Sequence, residues 1–170
     1  MRLDCGLCVI REWSLADKPA LLRYANNADI ARHLTRMPHP YTEAHADEFL
    51  AQHCGDEAVP GWAIDVEGVV VGGIGITLRE GVLVKNALLG YWLAEPFWGR
   101  GIMSAAVHGV VNYSLDKFDL NRLEAHVFEE NPASMRVLQK CGFVREGLLR
   151  NNVFKDGRLI STVLYALVKL

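Results

Sequence analysis

A strand, a glycine-bearing turn and a helix follow one another in residues 90–115, and this run constrains the fold more than any other. The aromatic and apolar residues 91–93 are typical of a strand, and Pro96 ends it because proline lacks a backbone donor. Gly99 and Gly101 allow a tight turn, after which apolar residues recur at helical spacing. A helix that begins on glycine presents bare amides and the positive end of its dipole, which predicts a site for a phosphate or diphosphate.

The same turn has a simpler interpretation, because tight strand-to-helix connections also occur where nothing binds. Arg100 would add a positive charge beside the amides of the turn. The choice between a structural connection and an anion site therefore depends on the rest of the chain.

The size and charge of the chain exclude several classes of protein. Its 170 residues fit one domain, residues 1–170, with a substantial core. A formal net charge of -2 gives no electrostatic case for a nucleic-acid partner. The sequence has no apolar run near the ~18 residues of a membrane span, and no signal-peptide pattern. We therefore expect a cytoplasmic protein without a membrane partner.

The four cysteines raise the question of a metal site. Cys5 and Cys8 form a single C-x-x-C pair, and Cys54 lies next to His53, so a zinc site is conceivable. A second paired motif that would complete the ligand set is missing, and Cys141 stands alone. The prediction is therefore no metal and four reduced thiols, as is usual in a reducing compartment.

Hydrophobic periodicity and turn residues predict an α+β fold with a mixed sheet. Strands are predicted at residues 7–13, 61–66, 69–78, 82–93, 122–128, 143–154 and 159–168, with a hairpin turn at 155–158. Helices are predicted at residues 21–25, 30–35 and 43–53, after Gly101, and after Asn131. The strands on either side of the central helix should be parallel and joined by a right-handed crossover.

A second segment carries clear helix-end signals. Asn131 suits an N-cap, Pro132 suits the first helical position, and Gly142 suits the position past the end of that helix. The glycines of residues 72–75 are a different case. No helix follows them, so they predict a bulge or the close approach of another backbone rather than a phosphate loop.

The two segments together resemble a known family. WGRGIM (residues 98–103) is similar to the acetyl-CoA loop of the GNAT-superfamily acyltransferases, and ENPASMRVLQKCGFVREG (residues 130–147) is similar to that family's N-x-x-S…GF segment. The likeness is strongest to the RimJ/RimL type, which acetylates N-terminal amines of ribosomal proteins, and it covers most of the chain from Leu7 onward. Two departures are Trp98, where the motif has Gln or Arg, and Met103, where it has a small residue.

The resemblance implies acetyl-CoA as cosubstrate and a GNAT-like single domain, whose mostly antiparallel sheet splays at a central parallel strand pair and is flanked by helices. The implied cofactor contacts are Trp92, Leu93, Ala94, Trp98, Gly99, Arg100, Gly101, Ile102, Met103, Ser104, Asn131 and Ser134. Where two strands part, backbone groups of residues 91–94 would need partners, which the pantetheine amides can supply. The amide of Leu93 is then a plausible oxyanion donor.

The resemblance also implies that Ser134 holds and protonates the departing thiolate. The alternative is an ordinary serine at a helix start. Asn131 likewise has two interpretations that are compatible, because its amide oxygen can cap the helix while its nitrogen donates to pantetheine.

A general base is harder to identify. Glu95 and Glu124 are the carboxylate candidates, and His126 shares a strand face with Glu124. Each of these side chains is equally compatible with a solvated surface charge. His33 and His39 could instead touch the substrate from the helical loops.

A site with a weak general base favours one class of acceptor. An α-amine of pKa ~7.7–8.0 is roughly 10–20% neutral at pH 7, whereas a lysine of pKa ~10.4 is less than about 0.1% neutral. We therefore expect direct attack by a protein or peptide N-terminus, with a small-molecule amine as the alternative.

Two rival classes of protein remain. Gly99-x-Gly101-x-x-Ser104 nearly fits a dinucleotide-binding fingerprint, with Glu129 after the next strand, although the third glycine is absent. An acyl-CoA-binding module without turnover would keep Gly99, Gly101 and Asn131. The sequence leaves the oligomeric state open between monomer and homodimer.

Overall fold

The computed structural model describes residues 1–55 and 59–169. Eight strands form one sheet in the order β1-β2-β3-β4-β5-β6-β8-β7. They are β1 (Arg2–Asp4), β2 (Val9–Arg11), β3 (Gly61–Val66), β4 (Val69–Leu78), β5 (Asn86–Leu93), β6 (Arg122–Phe128), β7 (Val144–Lys155) and β8 (Arg158–Val168).

Within the described residues, five α-helices flank the sheet. They are α1 (Lys18–Tyr24), α2 (Ala28–Ala31), α3 (Glu43–His53), α4 (Ile102–Lys117) and α5 (Pro132–Lys140). The main core fills the space between the sheet and α4, where Ala106, Val107 and Val110 are fully buried. A smaller core on the other face packs α1 and α3 against the sheet around Trp13 and Leu50.

The sheet is antiparallel except at its centre. β5 and β6 run parallel, but they pair only over Asn86–Leu88 and Arg122–Glu124. β4 continues to pair with β5 as far as Leu93, and β8 pairs with the whole length of β6. The two central strands therefore part after Leu88, so the predicted mixed sheet with a splayed parallel pair is confirmed.

Several elements have the predicted bounds, including β3, β4 and β6. Thr42 caps α3 and Asn131 caps α5, each by accepting a backbone N–H. The close approach predicted at the strand glycines is confirmed, since a Cβ on Gly72 would lie 2.4 Å from the carbonyl oxygen of Trp92.

Several predicted bounds are wrong, including the helix predicted at 21–25, which spans Lys18–Tyr24. Three others have a clear local reason. The strand predicted at 82–93 begins at Asn86, because residues 81–83 form a 3₁₀ turn. The helix predicted at 30–35 is α2, which begins earlier because Asn27 caps it and ends at Ala31. The strand predicted at 7–13 is limited to β2, and a further strand, β1, precedes it.

Candidate active site

The parting of β5 and β6 opens a cleft of about 580 Å³ through the middle of the sheet. Its lining comes from five parts of the chain: β5 (89–93), the turn and start of α4 (97–99, 101–104), β6 (125–127), the start and one face of α5 (130–134, 136, 137, 140), and the region of α2 (29, 30, 32–34). The cleft thus brings together the two segments that the sequence analysis singled out, which lie about 30 residues apart.

One end of the cleft suits an anion. Gly101 is the N-cap of α4 with φ 78°, a left-handed conformation that favours glycine, and no side chain caps the helix there. The first-turn amides of Ile102, Met103 and Ser104 therefore remain available to a ligand, and all three residues line the cleft. This donor set fits a diphosphate such as that of CoA, because amides and helix dipole act on the same charge.

The edge of β5 that faces the gap carries backbone groups that β6 does not pair. Ala94 N–H donates to the Val71 carbonyl at 2.7 Å, which fixes the alternation of hydrogen bonds along β5. Because alternate residues of a strand point their N–H and C=O groups to opposite edges, those of Leu93 and Tyr91 face the gap. The Leu93 carbonyl accepts from the Trp98 indole N–H at 2.7 Å. The Leu93 N–H remains directed into the cleft, as an oxyanion donor requires.

Two predicted cofactor contacts do not line the cleft. Ala94 is fully buried, and its amide is used by the sheet, as described above. The Arg100 guanidinium lies over the Phe97 ring, 5.3 Å from the centroid. Trp92 lines the cleft as predicted, and its indole packs into the smaller core beside Gly73.

Ser134 lines the cleft near the start of α5, and two partners fix it there. Its N–H donates to Asn131 Oδ1 at 3.2 Å, so the predicted cap is confirmed. Its hydroxyl lies 2.8 Å from the hydroxyl of Tyr91, which also lines the cleft. Burial raises the pKa of Tyr91 to about 12, so the phenol stays protonated at neutral pH.

Neither predicted carboxylate base lies in the cleft. Glu95 is exposed and accepts from the Asn27 side chain at 2.8 Å, which links it to the cap of α2. Glu124 accepts from Arg79 at 2.9 Å and from Arg122 at 2.7 Å, and its side chain is 13% exposed. The sequence could not show the pairing with Asn27 or Arg79, which lie far along the chain, although Arg122 is two residues from Glu124 on the same strand.

We expect Glu124→Gln to lower stability rather than activity. The change would remove the negative charge that Arg79 and Arg122 share in a largely buried site, where the loss is about 2 kcal/mol. The melting temperature should then fall by about 4–8 °C, while kcat stays within about threefold of the native value. Glu129→Gln, at an exposed position, is the control. A large loss of kcat without a loss of stability would instead support Glu124 as the base.

Two histidines do line the cleft. His126 shares the face of β6 with Glu124 as predicted, with His126 Nε2 3.9 Å from Glu124 Oε2. His33 lines both the cleft and a polar pocket of about 220 Å³ next to it. Burial lowers the pKa of His33, and the charge of Arg32 adds to the effect, so its imidazole is mainly neutral at pH 7 and able to accept a proton. His39 is exposed and outside both lining sets.

Two basic residues were missed in the sequence. Arg136 and Lys140 lie one turn apart on α5, and both line the cleft. Their i, i+4 spacing was visible, but which face of α5 meets the cleft depends on packing. CoA has a 3′-phosphate besides its diphosphate, and these two cations suit such groups.

Replacing Arg136 or Lys140 with alanine should weaken CoA binding about fivefold each, because one exposed charge pair contributes about 1 kcal/mol. Calorimetric titration with CoA and with dephospho-CoA checks this and shows which phosphate is involved. Arg145→Ala, an exposed arginine outside the cleft lining, is the matched control. Equal losses in all three variants would mean that only the general charge of the protein matters.

Two of the rival interpretations, a dinucleotide-binding fold and a zinc site, do not fit the structure. A dinucleotide-binding fold needs a mainly parallel sheet, whereas only β5 and β6 pair in parallel among the described strands.

The zinc site also lacks its ligands. All four cysteines are free thiols, and the His53 ring forms a hydrogen bond with the Phe49 carbonyl. Within residues 1–55 and 59–169, no group of three or more His, Cys, Asp or Glu side chains could hold a metal ion. In the same residues no helix is long and apolar enough to cross a bilayer.

Comparisons with known proteins find relatives over most of the chain. A model of the acetyltransferase (GNAT) domain matches residues 8–144. The uncharacterized N-acetyltransferase p20 of Bacillus licheniformis is 28% identical over 166 residues, which cover 94% of this chain and 92% of that protein. The ribosomal-protein-serine acetyltransferase of Escherichia coli K12 is 33% identical over 84 residues, 49% of this chain and 47% of that protein.

Solved structures extend the likeness to nearly the whole chain. Mycobacterium smegmatis RimJ in complex with CoA-disulfide superposes with a TM-score of 0.80 at 27% identity. The superposition covers 98% of this chain and 84% of that one.

Proposed function

The chain belongs to the GNAT acetyltransferase family and is an acetyl-CoA-dependent acyltransferase, and on that premise we propose that its acceptor is the N-terminal α-amine of a protein or peptide. The observation that carries the proposal is the absence of Glu95 and Glu124 from the cleft lining. The carboxylates that do line the cleft, Asp29 and Glu130, are paired with arginines, at 3.4 Å from Arg32 and 2.9 Å from Arg158. The imidazoles of His33 and His126 are therefore the candidate bases in the cleft. The similarity to a ribosomal-protein-serine acetyltransferase supports a protein acceptor.

The absence of Glu95 and Glu124 matters because the attacking nitrogen must be neutral, and neither carboxylate is placed to deprotonate it. An α-amine is roughly 10–20% neutral at pH 7, but a lysine side chain is less than about 0.1% neutral. A site of this kind therefore serves α-amines more than a hundredfold better, before any difference in binding. His33 lies where the cleft meets the adjoining pocket, and it can take the proton that the nitrogen loses on acylation.

The other residues act on the donor. Bound acetyl-CoA supplies an acetyl group activated as a thioester. The first-turn amides of α4 hold its diphosphate, and the Leu93 N–H stabilises negative charge on the carbonyl oxygen during attack. The carbon–sulfur bond breaks as the carbon–nitrogen bond forms, and the electron pair leaves on sulfur. Ser134 gives a proton to that sulfur and regains one from solvent. One proton is thus lost from the nitrogen and one is gained by the sulfur, which leaves as the thiol of CoA.

The test is an acetyl-CoA turnover screen that measures CoA release and locates the acetyl group by mass spectrometry. The acceptors are peptides with free N-termini and no lysine, the same peptides blocked at the N-terminus but carrying lysine, and spermidine and an aminoglycoside. We expect free N-termini to react at least about 100-fold faster than blocked lysine peptides. A preference for the small amines would favour the alternative acceptor class. CoA binding without any turnover would favour a binding module.

A further inference from the structure

Tyr91 and Ser134 come from different elements and meet in the cleft. They are 43 residues apart in the chain, on β5 and α5, yet their hydroxyl groups lie 2.8 Å apart. Both residues line the cleft at the point where β5 parts from β6. Their hydrogen bond is therefore part of the surface that meets the pantetheine arm of the proposed cosubstrate.

The direction of this hydrogen bond decides what Ser134 can do. If Ser134 donates to Tyr91, its proton is occupied; if Tyr91 donates, the serine proton is free to point into the cleft. A phenol is the more acidic of the two hydroxyls and hence the better donor. The other acceptor near Tyr91 is the Ser134 carbonyl, at 3.4 Å, and that carbonyl already lies in position for the helical bond from Leu138.

We infer that Tyr91 is a positioning residue for Ser134: its phenol donates to Ser134 Oγ and so directs the serine proton into the cleft, where it can bond the departing sulfur. The inference rests on the proposed role of Ser134 in acetyl transfer. The raised pKa of Tyr91 agrees with it, because a phenol that stays protonated remains a donor throughout the working pH range.

A purely structural role is the competing explanation, since the same bond also ties α5 to the sheet. The chain offers a matched control for it. Tyr165 on β8 is 1% exposed, and its hydroxyl accepts from Gln139 of the same helix at 3.3 Å. Tyr165→Phe removes a tyrosine hydroxyl that anchors α5 but lies outside the cleft lining.

The first measurement requires no acceptor and no turnover. The thiol pKa of bound CoA is followed by thiolate absorbance, as a difference against the same protein with desulfo-CoA. Because burial raises the pKa of Cys5, Cys8 and Cys141, the protein's own thiols interfere little. We expect a bound thiol pKa below the free value of about 8.5, and an increase of ~0.5–1 unit in Tyr91→Phe and in Ser134→Ala. Tyr165→Phe should leave it unchanged.

The second measurement is steady-state kinetics of single and double variants. We expect Ser134→Ala to lower kcat about tenfold and Tyr91→Phe about three- to tenfold, with little change in the KM for acetyl-CoA. The double variant should be no slower than Ser134→Ala alone, because Tyr91 acts through Ser134.

Three results would overturn the inference. Equal effects of Tyr91→Phe and Tyr165→Phe would mean that anchoring α5 is the whole role. Independent losses that multiply in the double variant would mean that Tyr91 does not act through Ser134. A lower thiol pKa or a higher kcat in Tyr91→Phe would mean that the serine donates to the tyrosine. If no acceptor turns over, the proposed function fails, but the thiol titration still decides the role of Tyr91.

Discussion

Replacing Gly101 with aspartate should weaken CoA binding about 100-fold, whereas asparagine at the same position should cost about tenfold or less. Both side chains tolerate the left-handed backbone of this N-cap better than other residues, and they have nearly the same shape. A Cβ here would contact only the Leu7 side chain within 4 Å, at 3.4 Å, so the space is similar for both. The two variants therefore differ mainly by one negative charge beside the first-turn amides of α4.

The size of the effect follows from Coulomb's law. A carboxylate ~6 Å from one phosphate charge, at an effective dielectric constant of ~20, is repelled by about 3 kcal/mol, or about 100-fold in affinity. Calorimetric titration with CoA at low and at moderate salt measures it, and the loss should shrink as salt screens the charges.

Gly68→Asp is the control for this pair, because Gly68 has φ +84° and open space but lies in the turn between β3 and β4. It should leave CoA affinity unchanged. Equal losses for aspartate and asparagine at Gly101 would show that the conformation of the turn, rather than charge, sets affinity. No loss in either variant would place the diphosphate elsewhere on the protein.

The anion end of the cleft was predictable because its determinants are local. A glycine at a helix start and an Asn-Pro pair at the next one are signals that short-range geometry produces, and both Gly101 and Asn131 occupy the predicted positions. The alternation of side chains along β6 likewise predicted that Glu124 and His126 share one face, since that depends only on the two-residue period of a strand.

The interior of the cleft was less predictable because its contacts join distant parts of the chain. The bond between Tyr91 and Ser134 depends on how α5 docks on the sheet, and no local pattern encodes that docking. Of the two arginines that pair with Glu124, Arg122 shares its face of β6 by the same two-residue period, but Arg79 follows β4 and no local pattern places it there.

Trp98 shows how a departure from a family motif can be explained only in three dimensions. In the sequence it stands where Gln or Arg is usual. In the structure its indole N–H satisfies the Leu93 carbonyl at the edge of the gap, so a neutral donor at this position has a clear backbone partner.

Gly72→Ala should destabilise the protein by about 3 kcal/mol and weaken CoA binding at the same time. The added Cβ would lie 2.4 Å from the Trp92 carbonyl oxygen and 3.2 Å from Leu93 Cα, so a backbone strand rather than a flexible side chain would have to move. That strand is β5, and its displacement would carry the Leu93 amide away from its place in the cleft. For a chain of this length the melting temperature should fall by about 6–12 °C.

Gly147→Ala on β7 is the matched control, because no atom lies within 4 Å of the added Cβ. It should leave stability unchanged or slightly higher, since alanine loses less backbone entropy than glycine on folding. Thermal unfolding compares the two variants, and CoA titration well below both melting temperatures separates binding from stability. If Gly72→Ala lost stability but bound CoA with native affinity, β4 rather than β5 would have moved. The position of the Leu93 amide would then not control the binding of the cosubstrate.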